Sequence, residues 1–130
     1  MRTSRILVAD DSRAVRICVE RILTKSGFEV ILACNGVEAV ELTRKHAPEL
    51  VILDIIMPEM DGYSACEKIL SDRTIPILFL TKDPGQHLSI LGDQLGAYLP
   101  KPVEERELVS VVHSLIHETA MPVNSEASHV

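Results

Sequence analysis

The sequence predicts an α/β fold in which a parallel β-sheet is covered by helices on both faces. Three observations carry this expectation. Short apolar runs alternate with longer amphipathic stretches along the chain, the pattern of repeated strand–helix units. The runs are apolar throughout rather than alternating with polar residues, as strands buried on both faces must be. Aromatic residues make up only 3% of the chain against 46% apolar residues in all, so the core is built from Ile, Leu, Val and Ala.

Ile6-Leu7-Val8-Ala9 is the first strand and ends at the acidic pair Asp10-Asp11. From Ser12 to Ser26, apolar residues at Val15, Cys18, Val19 and Ile22 have helical spacing; Ser12 is placed to cap this helix and Gly27 to stop it. Glu29 to Ala33 is the second strand. Asn35 caps the next helix, with Glu38 three residues on as in a capping box, and Pro48 closes it. Leu50-Val51-Ile52-Leu53 is the third strand and ends at Asp54. The turn-rich stretch Met57-Pro58-Glu59-Met60-Asp61-Gly62 leads to a helix near Tyr63 to Ser71. Ile77-Leu78-Phe79-Leu80 is the fourth strand, ending at Thr81. Between Lys82 and Leu95, Pro84-Gly85 marks a loop and Gln86 to Leu91 has weak helical character, cut by Gly92. Ala97-Tyr98-Leu99 is a short fifth strand before Pro100-Lys101-Pro102. The last helix runs from about Glu104 to His117, with Leu108, Val111, Val112 and Leu115 on one face and three glutamates in its first turn, facing the positive end of the helix dipole.

A chain of 130 residues fits one domain, read as residues 1–120, with 121–130 a flexible tail or the start of a linker. The net charge is −6 with Lys and Arg scattered, so no basic face is expected to contact nucleic acid. No apolar run approaches the roughly eighteen residues of a membrane span, and the four-residue run Ile6 to Ala9 is too short for a signal peptide. Cys18, Cys34 and Cys66 are odd in number and lack a CxxC spacing. They are read as buried, inert thiols of a cytoplasmic protein.

The chemistry falls at strand ends. Asp10 and Asp11 follow the first strand, Asp54 the third, Thr81 the fourth and Lys101 the fifth. A parallel sheet brings these ends to one edge, where ligands bind at a reversal of strand order. Three carboxylates there repel one another and raise their own pKa values unless a cation joins them. A hard divalent ion that takes oxygen ligands and coordinates phosphate, Mg²⁺, fits that set. Lys101 can offset charge on phosphoryl oxygens and Thr81 can donate a hydrogen bond to one. A carboxylate can serve as nucleophile and form an acyl phosphate, and Asp54, central among the strands, is the candidate.

These residues carry a resemblance. Ile6-Leu7-Val8-Ala9-Asp10-Asp11, Leu53-Asp54-Ile55-Ile56-Met57-Pro58-Glu59-Met60-Asp61-Gly62, Leu80-Thr81 and Tyr98-Leu99-Pro100-Lys101-Pro102 stand in one order along about residues 5 to 118. The sequence resembles the receiver domains of two-component response regulators. Asn35-Gly36-Val37-Glu38-Ala39 is also similar to the usual start of their second helix. The resemblance implies a flavodoxin-like (βα)5 fold with strand order 2-1-3-4-5. It implies Asp54 as phosphoacceptor, Mg²⁺ held by Asp10, Asp11, Asp54 and the Ile56 carbonyl, Thr81 and Lys101 on the phosphoryl group, Thr81 and Tyr98 as switch residues, and a cis Lys101–Pro102 peptide. The implied partners are a histidine kinase or phosphotransfer protein, and an effector domain or protein controlled through the surface of the fourth helix, fifth strand and fifth helix. A stand-alone receiver or phosphorelay intermediate acting by protein contact is the alternative. Turnover of a separate substrate is not expected. The chain departs from the family where Lys82 follows Thr81 in place of a small residue, and where Thr81 and Lys101 stand closer in sequence than usual around Pro84-Gly85. Both departures leave the residues of the phosphorylation site in place and bear on the signalling face.

Other arrangements fit less well. Haloacid-dehalogenase-type enzymes need a second Asp two residues after the nucleophile, where this chain has Ile56. A flavin or nucleotide module needs a Gly-rich loop after the first strand, where Asp10-Asp11-Ser12-Arg13 stands instead. His113 and His117 share a helix face but lack a third ligand, and read as a solvated flank. Arg13 and Arg16 read as solubilising charges that could also meet a kinase.

Overall fold

The computed structural model describes residues 3–82 and 97–120. Five parallel strands, β1 (Arg5–Ala9), β2 (Glu29–Ala33), β3 (Leu50–Asp54), β4 (Ile77–Thr81) and β5 (Ala97–Pro100), form one sheet in the order β2-β1-β3-β4-β5. The described helices are α1 (Arg13–Lys25), α2 (Gly36–His46), α3 (Gly62–Asp72) and α4 (Glu105–Ala120). The weak helix expected from Gln86 to Leu91 and the tail after residue 120 lie outside the described residues. The last helix of the expected plan is therefore α4 here. Fold class, strand order and helix positions agree with the flavodoxin-like expectation.

The strands alternate between two cores. Leu7, Val51, Leu53 and Phe79 pack with Ala39 and Val40 of α2 and with Ala65, Cys66 and Ile69 of α3. Ile6, Val8, Ile52, Leu78 and Leu80 pack with Val19, Ile22 and Leu23 of α1 and with Leu108 and Val112 of α4. Every residue of β3 and β4 is buried, which explains their unbroken apolar runs.

Local sequence sets the helix ends. The Ser12 hydroxyl accepts from the Val15 N–H at 3.3 Å, and the Asn35 side chain accepts from the Glu38 N–H at 2.8 Å. Glu38 reaches back to the Cys34 N–H at 2.8 Å, one residue further than an ordinary capping box. At the end of α1, Phe28 N–H donates to the Leu23 carbonyl and Gly27 N–H to that of Thr24, with Gly27 at φ 96°. This Schellman turn needs a left-handed residue, which glycine adopts without a Cβ clash. Glu104 lies just before α4, where its carboxylate accepts from the Arg106 and Glu107 N–H groups.

Two expectations about cysteine are corrected. Cys18 and Cys34 are exposed, and only Cys66 is buried. On α1 the buried positions are Val19, Ile22 and Leu23. Cys18 lies about 100° around the helix from Val19, which turns it off the stripe. Burial pushes the Cys66 thiol up to about 11, with the Glu67 charge adding to it. His113 and His117 are exposed, as a solvated flank requires, and the His113 ring tilts against Phe28 at 5.2 Å.

Candidate functional site

Strand register assembles the site. Ala9 pairs with Leu53, Asp54 with Leu80, and Thr81 with Pro100. Asp10, Asp54, Thr81 and Lys101 therefore leave the sheet together at its carboxyl edge, beside the reversal of strand order between β1 and β3. They line a cleft of about 500 Å³ whose wall also includes Asp11, Ile56 and Lys82. Tyr98 is not on that wall. It lies on the α2–α3 side, half-buried, with its ring stacked on Phe79 at 5.1 Å.

Asp10 is completely buried, and Asp54 and Thr81 nearly so, whereas Asp11 is exposed. The Lys101 ammonium stands 2.8 Å from Asp10 Oδ2 and 3.2 Å from Asp54 Oδ1. The Lys101 N–H donates to the Thr81 carbonyl at 2.9 Å, and the Lys101–Pro102 peptide is cis. One carboxylate oxygen from each of Asp10, Asp11 and Asp54 lies within 4.8 Å of the others. Such a cluster of hard oxygen donors fits a Mg²⁺-sized cation, which keeps several waters and takes few protein ligands. Among the described residues, this is the one group of three or more His, Cys, Asp or Glu side chains so arranged.

Burial raises the Asp54 carboxyl to about 6, the neighbouring Asp10 charge adds to the rise, and Lys101 opposes it. Burial works against the charge on Lys101, but Asp10 and Asp54 outweigh it and hold its pKa above the ordinary lysine value. The cleft thus stores carboxylate repulsion that one ammonium relieves in part, and a cation would relieve the rest.

Three supporting residues were not assigned this role from sequence. The Ser12 N–H donates to Asp10 Oδ1 at 2.9 Å, so the cap of α1 also orients a site carboxylate. Arg16 donates through Nη1 to the Asp10 carbonyl at 2.7 Å, which gives an apparent surface charge an internal partner. Gly62 opens α3 against β3, and a Cβ there would collide with the Asp54 carbonyl oxygen. Its N–H donates to the Ile55 carbonyl at 2.7 Å, closing the loop after Asp54. The turn composition around Gly62 was visible in sequence, but not this close approach.

Residues 6–113 match the family model of the response regulator receiver domain. The chain is 37% identical over 126 residues to the probable transcriptional regulator ycf27 of Cyanophora paradoxa, covering 95% of this chain and 53% of that protein. It is 40% identical over 119 residues to response regulator MprA of Mycobacterium sp. (strain KMS), covering 89% and 52%. The chain therefore spans about half the length of these relatives. The signal receiver domain of a signal transduction histidine kinase from Syntrophus aciditrophicus superposes with TM-score 0.82 at 32% identity, over 92% of this chain and 95% of that one. The receiver domain of sensor histidine kinase PA1611 from Pseudomonas aeruginosa, with a magnesium ion coordinated in its active-site cleft, superposes with TM-score 0.79 at 26% identity, over 89% and 99%. Strand order, the acidic cleft and a family match across most of the chain agree: this chain belongs to the response regulator receiver domain family.

Proposed function

We propose that Asp54 accepts a phosphoryl group from a phosphohistidine of a histidine kinase or phosphotransfer protein. The observation that carries this reading is the buried Asp54 carboxylate, in one cleft with Asp10, Asp11, Thr81 and Lys101. A carboxylate oxygen of Asp54 attacks phosphorus, the P–N bond breaks, and the imidazole leaves with the bonding pair and takes up a proton. Lys101, already at the carboxylate, turns toward the incoming phosphoryl oxygens, and Thr81 donates its hydroxyl to one of them. Asp10, Asp11, Asp54 and the Ile56 carbonyl would hold Mg²⁺, which supplies positive charge beside the phosphoryl oxygens. The magnesium in the PA1611 receiver cleft supports this assignment.

The output is a change of surface rather than turnover of a separate substrate. Thr81 is two residues beyond Phe79 on β4, and Phe79 carries the Tyr98 ring. Movement of Thr81 toward a phosphoryl group is therefore transmitted to Tyr98 and to the β5–α4 surface, which would meet an effector domain or protein in the cytoplasm. Among the described residues no helix is long and apolar enough to cross a membrane.

Mass spectrometry after treatment with phosphoramidate or a phosphorylated kinase tests the acceptor. One phosphoryl group per chain is expected with Mg²⁺, and none for Asp54→Ala or in EDTA. Equal labelling of parent and variant would remove Asp54 from the role.

A further inference from the structure

Lys82 follows the last residue of β4 and lines the same cleft as Asp54, Thr81 and Lys101. The two lysines occupy different depths. The Lys101 side chain is 12% exposed and held between two carboxylates, whereas Lys82 is exposed at the rim. The charges that face each other in the cleft balance without Lys82 before phosphorylation but not after it. Asp10, Asp11 and Asp54 against Lys101 leave two net negative charges, which one divalent cation neutralises. Converting the Asp54 carboxylate to an acyl phosphate replaces one negative charge by nearly two. That leaves an excess close to one charge, directed toward the mouth of the cleft.

We propose that Lys82 is a second cation for the phosphoryl group, contacting it from the open side while Lys101 holds the inner side. The inference deepens the phosphoacceptor reading and rests on it. A lysine suits the task because its ammonium is a point charge on a flexible four-carbon stem, able to follow a group that arrives and leaves. The contact is made at the rim, so its strength is that of a partly solvated ion pair and is screened by salt.

The test is a calorimetric titration of beryllofluoride, a phosphoryl mimic, in Mg²⁺ at low salt, with the parent, Lys82→Met and Lys82→Arg. Methionine keeps much of the length and removes the charge; arginine keeps the charge. Lys82→Met is expected to bind about two- to fivefold more weakly, the range of an exposed ion pair, and Lys82→Arg to match the parent. The deficit should shrink at high salt. Equal affinity of Lys82→Met and the parent would overturn the proposal, as would equal weakening by Met and Arg. A parent that binds no beryllofluoride would instead overturn the phosphoacceptor reading itself.

Discussion

The ammonium of Lys101 lies 2.8 Å from Oδ2 of Asp10, a carboxylate with no exposure to solvent. A buried ion pair adds little net stability over an apolar substitute, but removing one partner strands the other charge. Lys101→Ala leaves Asp10 and Asp54 without their ammonium, and a loss of about 3 kcal/mol is expected. Mg²⁺ should recover part of it by binding the folded state alone. Urea unfolding of parent and variant, in EDTA and in excess Mg²⁺, measures both. A variant as stable as the parent in EDTA would show that the pair does not neutralise Asp10.

Asp54 makes the opposite contribution. Its folded pKa is raised from 3.8 to about 6 by burial and by Asp10. Between those values the folded chain binds more protons than the unfolded chain, so this group's contribution to stability falls as pH rises from about 4 to about 6. Each tenfold in proton affinity corresponds to about 1.4 kcal/mol, so ionised Asp54 costs the fold on the order of 3 kcal/mol. Asp54→Asn is therefore expected to be more stable than the parent at pH 7 in EDTA, with the advantage fading toward pH 4. A difference between the two proteins that is constant with pH would remove the ionisation of Asp54 as its cause.

Tyr98 is tied by a ring contact to Phe79, two residues before Thr81 on β4. Its ring stacks on Phe79, and Tyr63 tilts against the same Phe79 at 5.3 Å. Two packings of such a face need differ by only a few kcal/mol for a local charge to select between them. NMR spectra with and without beryllofluoride should show shifts at Thr81 and Tyr98 and at the β5–α4 surface, and Thr81→Ala should confine them to the loops around Asp54. Parent shifts that already stop at those loops would break the proposed link.

The sequence was most legible where one local rule decides the outcome. Unbroken apolar runs marked β1, β3 and β4, Ser12 and Asn35 marked helix starts, and strand-terminal Asp54 and Thr81 marked the edge where the cleft opens. It was least legible where a residue's partner is distant or on the backbone. Arg16 has the composition of a surface charge, yet its bond to the Asp10 carbonyl depends on how α1 leaves β1. Gly62 has the composition of a turn, yet the space it vacates belongs to the Asp54 carbonyl. Cys18 falls within helical spacing of Val15 and Ile22 but sits on the flank of the stripe, where one position decides between core and solvent.

The lifetime of the phosphorylated state follows from the rim of the cleft. Hydrolysis requires water to approach phosphorus in line with its bond to Asp54; that P–O bond breaks, the carboxylate leaves with the electron pair, and the water proton passes to solvent. The approach is from the open side, which Lys82 and Ile56 border. Ile56 is 76% exposed, and its side chain carries no group to orient a water. On the proposal above, the Lys82 ammonium would be drawn to the phosphoryl oxygens and would lie across the remaining path. Self-dephosphorylation is expected to be slow, and Lys82→Ala is expected to accelerate it about two- to fivefold, within the strength of an exposed ion pair. The measurement is the decay of phosphorylated parent and variant in excess Mg²⁺ after removal of the phosphodonor. Decay of the variant at the parent's rate, or more slowly, would show that Lys82 does not protect the acyl phosphate from water.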